Sequence, residues 1–196
     1  MGGKTMFAAL ALVLGPSVAH AATFEVDPAH SMVGFSVSHM GFSSVRGFFG
    51  TVSGTVEIDP ANPSTAKVDG KVGVASVNTM NQDRDDHLRN PDFFDVAQFP
   101  EMTFRSTAVR DITNEGFDLV GDFTLHGVTK QVVFHVARLS PERTDPWGNT
   151  KVATSATTRI NRKDFGMSWN KELDQGGWLV GEEVEVTLDL ELVKAK

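Results

Sequence analysis

Apolar and polar residues alternate without a break in the sequence VEVTLDLEL, residues 184–192. A period of two is typical of a β-strand that buries one face and exposes the other. The stretch therefore predicts a long strand near the end of the chain, with Val184, Leu188 and Leu192 among the residues on its buried face.

The same period recurs along most of the chain. It is found at residues 35–39, 51–58, 67–74, 102–108, 117–125, 132–136 and 152–160. Turn signals such as DPANP (59–63) and DPWGN (145–149) separate these strands, and no helical crossover is needed between them, so the sheet is antiparallel. A sandwich would show the same alternation. The meander order and the glycines at positions 50, 54, 70, 73 and 121 favour closure, and we predict an all-β fold, an eight-stranded antiparallel barrel.

One segment breaks the alternation. Residues 78–100 are polar and acid-rich, with scattered apolar residues. Residues 83–89 can form two helical turns, which Pro91 would end. We therefore expect a short helical capping segment near residues 79–96 that covers one end of the barrel.

The first residues resemble an export signal. Lys4 precedes an apolar run, Met6–Leu14, and the sequence AHA (19–21) offers small residues for a signal peptidase. The apolar run is too short to cross a bilayer, which takes about 20 residues. An uncleaved anchor is the alternative. We predict a cleaved signal peptide at residues 1–21, a single mature domain at 22–196, and a periplasmic or secreted protein.

Composition narrows the classes of partner. The net charge of −7 argues against nucleic acid, and the absence of cysteine excludes disulfides. The chain has 14 phenylalanines and no tyrosine. Because a buried tyrosine needs a partner for its hydroxyl and a phenylalanine does not, this bias suits a dry cavity for an apolar guest. The alternative is that the rings simply fill a core.

Evidence for catalysis or metal binding is weak in the sequence. The six histidines lack the close spacing of a zinc site, and no serine lies in a Gly-x-Ser-x-Gly elbow. His30 and His39 could still meet a carboxylate in three dimensions. We predict no catalytic residue and no metal. The enzymatic alternative would use His39 or His87 with Asp85 on a lipid inside the barrel.

Several motifs in order resemble the YceI-like family of polyisoprenoid-binding, lipocalin-like proteins. They are DPAHS (27–31), FSVSHMG (35–41), VRGFFG (45–50), RDDHLRNPDFFDV (84–96), FP (99–100), GDFTLHGVTK (121–130) and ATTRINRKDFG (156–166). The resemblance spans almost the whole mature chain. It implies an extended lipocalin-like barrel with a long cavity for an isoprenoid or similar lipid, in proteins that are periplasmic or secreted and often dimeric.

The resemblance therefore implies a lipid-binding transport protein for a polyprenol or an isoprenoid quinone, with no cofactor besides the bound lipid. Transient membrane contact and a homodimer are further expectations, and a stress-response interaction module with an incidental cavity is the alternative. Thr154 stands where an aromatic residue is common in the family, and the smaller side chain would widen the pocket or change its selectivity. We expect ligand contacts from Phe35, Val37, His39, Phe42, Phe48, Arg84, Asp85, His87, Leu88, Phe94, Phe104, Phe123, Phe134, Thr154, Ala156, Asn161, Phe165 and Trp169.

Overall fold

The computed structural model describes residues 21–196. The predicted signal peptide, apart from Ala21, lies outside these residues. The strands are β1 Ala22–Val26, β2 Met32–His39, β3 Ser43–Phe49, β4 Val52–Asp59, β5 Asn62–Gly73, β6 Val77–Asn78, β7 Glu101–Arg110, β8 Gly116–Leu125, β9 Val128–Ala137, β10 Arg143–Thr144, β11 Thr150–Asn161 and β12 Val180–Lys194. Helix α1 spans Gln82–Arg89, and 3-10 turns lie at Val74–Ser76 and Arg162–Phe165.

The strands form a closed antiparallel barrel with eight staves. A stave is here one of the eight strand positions around the barrel. Three staves are each made of two shorter strands in succession, which pair with the same neighbouring staves: β1 with β2, β3 with β4, and β5 with β6. The others are β7, β8, β9, β11 and β12, and pairing of β11 with both β9 and β12 closes the ring. The predicted eight-stranded antiparallel barrel is confirmed.

Strand β12 holds the barrel together. It pairs with β11 from Lys151↔Val193 to Asn161↔Glu183, and its other edge pairs with β1 and then β2. The alternation seen at residues 184–192 therefore points one row of apolar side chains into the barrel and one polar row to the outside.

The alternation predicts no strand within residues 41–50, which indicates a turn region at the mouth of the barrel, and this expectation is wrong. Ser43–Phe49 is strand β3, which pairs with all of β2 from Val33↔Phe49 to His39↔Ser43. Its inward positions are 45, 47 and 49, and the middle one is a glycine. A Cβ at Gly47 would lie 2.5 Å from the Phe35 ring, so the packing of that ring requires glycine and interrupts the apolar pattern.

The helical cap is confirmed. Helix α1 begins after Asn81, whose side chain accepts a hydrogen bond from the Arg84 backbone N–H at 3.0 Å, and it ends before Asn90. Pro91 follows directly and prevents continuation. Within residues 21–196, no helix is both long and apolar enough to cross a bilayer.

A charged cluster on the outer wall joins β1, β11 and β12. The Lys151 ammonium donates to Asp27 at 2.7 Å and to Glu191 at 2.6 Å, and Asp27 also bonds to His30 at 2.9 Å. The hydrogen bonds from Lys151 and then His30 hold the pKa of Asp27 well below its ordinary value. The hydrogen bonds that Lys151 donates to Asp27 and then to Glu191 raise the pKa of Lys151 above its ordinary value. The cluster thus stabilises the barrel while both groups are charged.

We expect Lys151→Met to reduce the free energy of unfolding most at neutral pH. A lowered carboxyl pKa stabilises the fold above the unfolded value and loses that effect as pH falls below about 4. A raised ammonium pKa stabilises the fold below its unfolded value and loses that effect as pH rises past about 10.5. Urea unfolding across pH would measure the difference from wild type.

The matched control is Lys67→Met. Lys67 pairs with Glu57 at 3.6 Å on the exposed surface, where an ion pair contributes little. A constant difference between Lys151→Met and wild type at every pH would contradict the role given to the cluster.

Candidate functional site

The barrel encloses a cavity of about 360 Å³. This volume lies within the usual range for small-molecule sites, about 300–1,000 Å³. The wall is almost entirely apolar and draws side chains from all eight staves, while helix α1 and the segment after it contribute at the capped end. The arrangement can enclose an apolar guest and shield it from water.

The inward face of β12 shows that the barrel interior is a cavity and not a close-packed core. Val184, Val186, Leu188 and Leu190 point inward and line the cavity, but they are only half-buried. Side chains in a close-packed core would have no accessible surface left. These positions therefore keep apolar surface available inside a closed wall.

Most of the predicted contact residues meet at this cavity. The structure places along its wall Phe35, Val37, His39, Arg84, His87, Leu88, Phe94, Phe104, Phe123, Phe134, Thr154, Ala156 and Trp169. The aromatic members also pack on one another, as Phe104 does on Phe134 with ring centroids 5.1 Å apart. The Thr154 hydroxyl donates a hydrogen bond to the Ala137 carbonyl at 2.7 Å, so Thr154 does not present a free donor to the cavity.

Three predicted aromatic contacts do not line the cavity. Phe42 lies in the β2–β3 turn with 79 % of its surface exposed. Phe48 occupies an outward position of β3, between the inward positions 47 and 49. Phe165 is buried behind the wall, where it packs edge-on against Phe123 at 5.5 Å. The expectation that these three rings contact the ligand from the cavity wall is therefore wrong.

Two predicted polar contacts are also absent from the wall. Asp85 is buried and accepts hydrogen bonds from the backbone N–H and the hydroxyl of Thr79, at 2.8 and 2.5 Å. Asn161 caps the following 3-10 turn by accepting from the Lys163 backbone N–H at 2.9 Å. Both side chains stabilise local structure.

The polar part of the cavity lies under the cap. Arg84 is anchored by donating from Nε to the Thr79 hydroxyl and from Nη2 to the Thr79 carbonyl, both at 2.8 Å. His87 stacks edge-on against Trp169 at 4.9 Å, and its Nε2 lies 2.9 Å from an Asp92 oxygen. The structure therefore does not pair His87 with Asp85, one of the two arrangements that the enzymatic alternative would use.

Sequence reasoning missed Arg162, which lines the same cavity. Its Nε donates to the Gly181 carbonyl at 2.8 Å and its Nη1 to the Met167 carbonyl at 2.5 Å. The inward alternation of β11 through Ala156, Thr158 and Ile160 continues to position 162, and following it one step further would have found this arginine.

Sequence reasoning also missed the apolar wall at the end away from the cap. Its residues include Val56, Ile58, Ala66, Val68, Phe117, Leu119, Val136 and Leu192. All of them lie on strands, and most occupy apolar positions of the period-two pattern. The alternation therefore indicates that these residues point inward, although the family motifs do not identify them as ligand contacts.

His30 does meet carboxylates, but in a cluster that already contains a lysine. Asp27, His30 and Glu191 form the one group of possible metal ligands found among residues 21–196. Lys151 already supplies a positive charge between the two carboxylates, at 2.7 and 2.6 Å. This side-chain set therefore gives no support for a metal ion.

Comparisons with known proteins agree with this geometry. The family model of the YceI-like domain matches residues 24–192. A UPF0312 protein of Pseudomonas putida (strain W619) is 36% identical over 198 residues, covering 98% of this chain and 99% of its own. The crystal structure of Burkholderia cenocepacia BcnA superposes with a TM-score of 0.73 at 23% identity, covering 85% of this chain and 98% of that one. A polyisoprenoid-binding domain from Saccharophagus degradans, implicated in plant cell wall breakdown, gives a TM-score of 0.62 at 18% identity, covering 90% and 100%.

Proposed function

The chain belongs to the YceI-like domain family, and from this and its cavity we propose that it binds and carries a long-chain isoprenoid or similar lipid, such as a polyprenol or an isoprenoid quinone. The observation that carries the proposal is the row of half-buried apolar side chains on the inner face of β12. The Saccharophagus domain, described as polyisoprenoid-binding, supports an isoprenoid as the guest.

Burial of an apolar chain can by itself supply the binding free energy of such a guest. Burying a methylene group contributes about 0.8 kcal/mol, so ten of them contribute about 8 kcal/mol before the cost of ordering the chain. Micromolar binding corresponds to about 8 kcal/mol net, so a guest with about twenty such groups, contributing about 16 kcal/mol, reaches it after a cost of about 8 kcal/mol. The proposal therefore involves binding alone.

We expect affinity to rise with chain length. Geraniol, farnesol and geranylgeraniol share one head group, so each added isoprene unit should tighten binding at least about tenfold through apolar burial. Displacement of a fluorescent lipid from delipidated protein would measure this. The rise should level off once the chain outgrows the cavity. Equal affinity for all three alcohols, or no binding of any of them, would contradict a lipid-carrying function.

We also propose that the capped end contacts membranes during loading. Met40 and Phe42 in the β2–β3 turn are exposed, and the Met40 N–H donates to the Leu179 carbonyl at 2.8 Å, beside exposed Trp178. Exposed apolar side chains of this kind can insert at a lipid interface.

Phe42→Ser should slow lipid uptake from vesicles severalfold and leave affinity for a dispersed lipid unchanged. Phe42 is outside the cavity, so only the membrane step depends on it. Stopped-flow transfer from labelled vesicles measures the rate. Trp147→Ser is the matched control, because Trp147 is 82 % exposed in the loop between β10 and β11. Equal slowing by both variants would contradict a contact specific to the capped end.

Export is part of the proposal. An apolar chain needs a carrier where it crosses water, and we propose that residues 1–21 direct the protein to the periplasm. Mass determination of the mature protein should give a chain beginning at Ala22. The homodimer stays a prediction, which sedimentation of the purified protein would test.

A further inference from the structure

Arg162 has a hydrogen-bonding capacity that the fold does not use. Its Nη2 is the one buried side-chain nitrogen or oxygen among residues 21–196 that has no hydrogen-bond partner. The residue is 3 % exposed and lines the cavity. A buried donor without an acceptor is costly, so its retention calls for an explanation.

The rest of the guanidinium is held rigidly. Nε and Nη1 donate to the carbonyls of Gly181 and Met167, and these two bonds fix the plane of the group. Burial lowers the pKa of Arg162, opposed by the negative charge of Glu182. An arginine stays protonated in a protein even so, and a buried positive charge is placed beside the cavity.

No carboxylate of the described chain pairs with this charge. Glu182, the nearby acid, binds the Lys163 ammonium at 2.5 Å. The ion-paired arginines of residues 21–196 are Arg89, Arg105 and Arg159, all with surface partners. The two arginines that line the cavity, Arg84 and Arg162, are not among them.

We propose that Arg162 binds the head group of the lipid through Nη2, and that this head group is an anionic oxygen group, a phosphate or a carboxylate. The inference rests on the proposed lipid-binding function and narrows the guest from an isoprenoid with any head group, such as a neutral polyprenol or quinone, to one with an anionic head group. Charge-assisted bonds from a guanidinium to an anionic oxygen are stronger than those to a neutral one. The apolar wall then holds the chain, with the head group at Arg162.

The test compares three ligands with the same chain: farnesyl phosphate, farnesoic acid and farnesol. On wild-type protein, at least one of the two anions should bind about tenfold or more tightly than the alcohol. The anion that does so identifies the head as phosphate or carboxylate. Equal binding of all three would overturn the inference and leave the lipid-binding function intact. Failure of all three to bind would remove the proposed function itself.

Variants locate the effect. Arg162→Gln should abolish the preference for the anion, measured as the ratio of the anion and farnesol affinities on the same variant, because the charge-assisted bond is removed. Arg159→Gln, its matched control on the outer face of β11, should retain the preference. Should Arg162→Gln fail to fold, Arg162→Lys keeps the charge but not the planar group, and its anion preference should fall below that of wild type. A full preference in either Arg162 variant would overturn the assignment.

Discussion

Ala156→Trp is expected to weaken lipid binding about 100-fold or more in a protein that still folds. Ala156 lies on β11 between Val136 of β9 and Leu188 of β12, and all three side chains line the cavity. An indole ring there would occupy space that the guest needs. Overpacking costs about 1–3 kcal/mol, which a domain of this size can tolerate. Titration with geranylgeraniol measures the loss, and circular dichroism checks the fold.

Ser155→Trp is the control for this experiment. Ser155 is the neighbouring exposed residue, so the same ring is added to the outer face and binding should be unchanged. Normal lipid affinity in a folded Ala156→Trp variant would contradict the cavity as the binding site. A cellular effect that survives loss of binding would favour the alternative of an interaction module with an incidental cavity.

Asp85→Ala is expected to have the second large effect, a loss of about 3 kcal/mol in the free energy of unfolding. Its buried carboxylate accepts from the backbone N–H and the hydroxyl of Thr79, which is itself 4 % exposed. Removing the carboxylate leaves both donors without this acceptor. Arg84 is anchored to the same threonine, so the capped end of the cavity should loosen as well.

Denaturant unfolding and lipid titration would measure the two consequences of Asp85→Ala. Asp86→Ala is the control on the same helix, because Asp86 is exposed and bonds only to Gln82 and Arg89 at the surface. We expect it to change stability by less than about 0.5 kcal/mol. Equal losses for the two variants would contradict the role of the Thr79 network in holding the cap.

The staves of the barrel could be predicted because alternation reports directly which side of a strand is buried. Residues 184–192 are the clearest case, and β12 joins β11 to β1 and β2. Strand β3 was not predicted, because Gly47 makes room for the Phe35 ring and so interrupts the apolar row of that strand. A glycine selected for close packing carries no hydrophobic signal.

The candidate site was predicted in part for a related reason. Alternation indicates that Phe104 and Phe134 point inward, but it does not distinguish a packed core from a container. Phe48 was misplaced together with β3, since its facing depends on the register of that strand. Arg162 was missed because a charged residue on an inward position contradicts the pattern used to find the wall. Its unused donor is visible only in three dimensions.

We propose that the barrel holds a long-chain lipid in the cell. The most direct measurement is organic extraction and mass spectrometry of protein purified from its native host, compared with the Ala156→Trp variant purified in parallel. The wild-type protein should carry one long-chain lipid in near-equal molar amount, and the Ala156→Trp variant should carry none. A wild-type barrel that is consistently empty and also rejects added polyprenols would contradict the proposal.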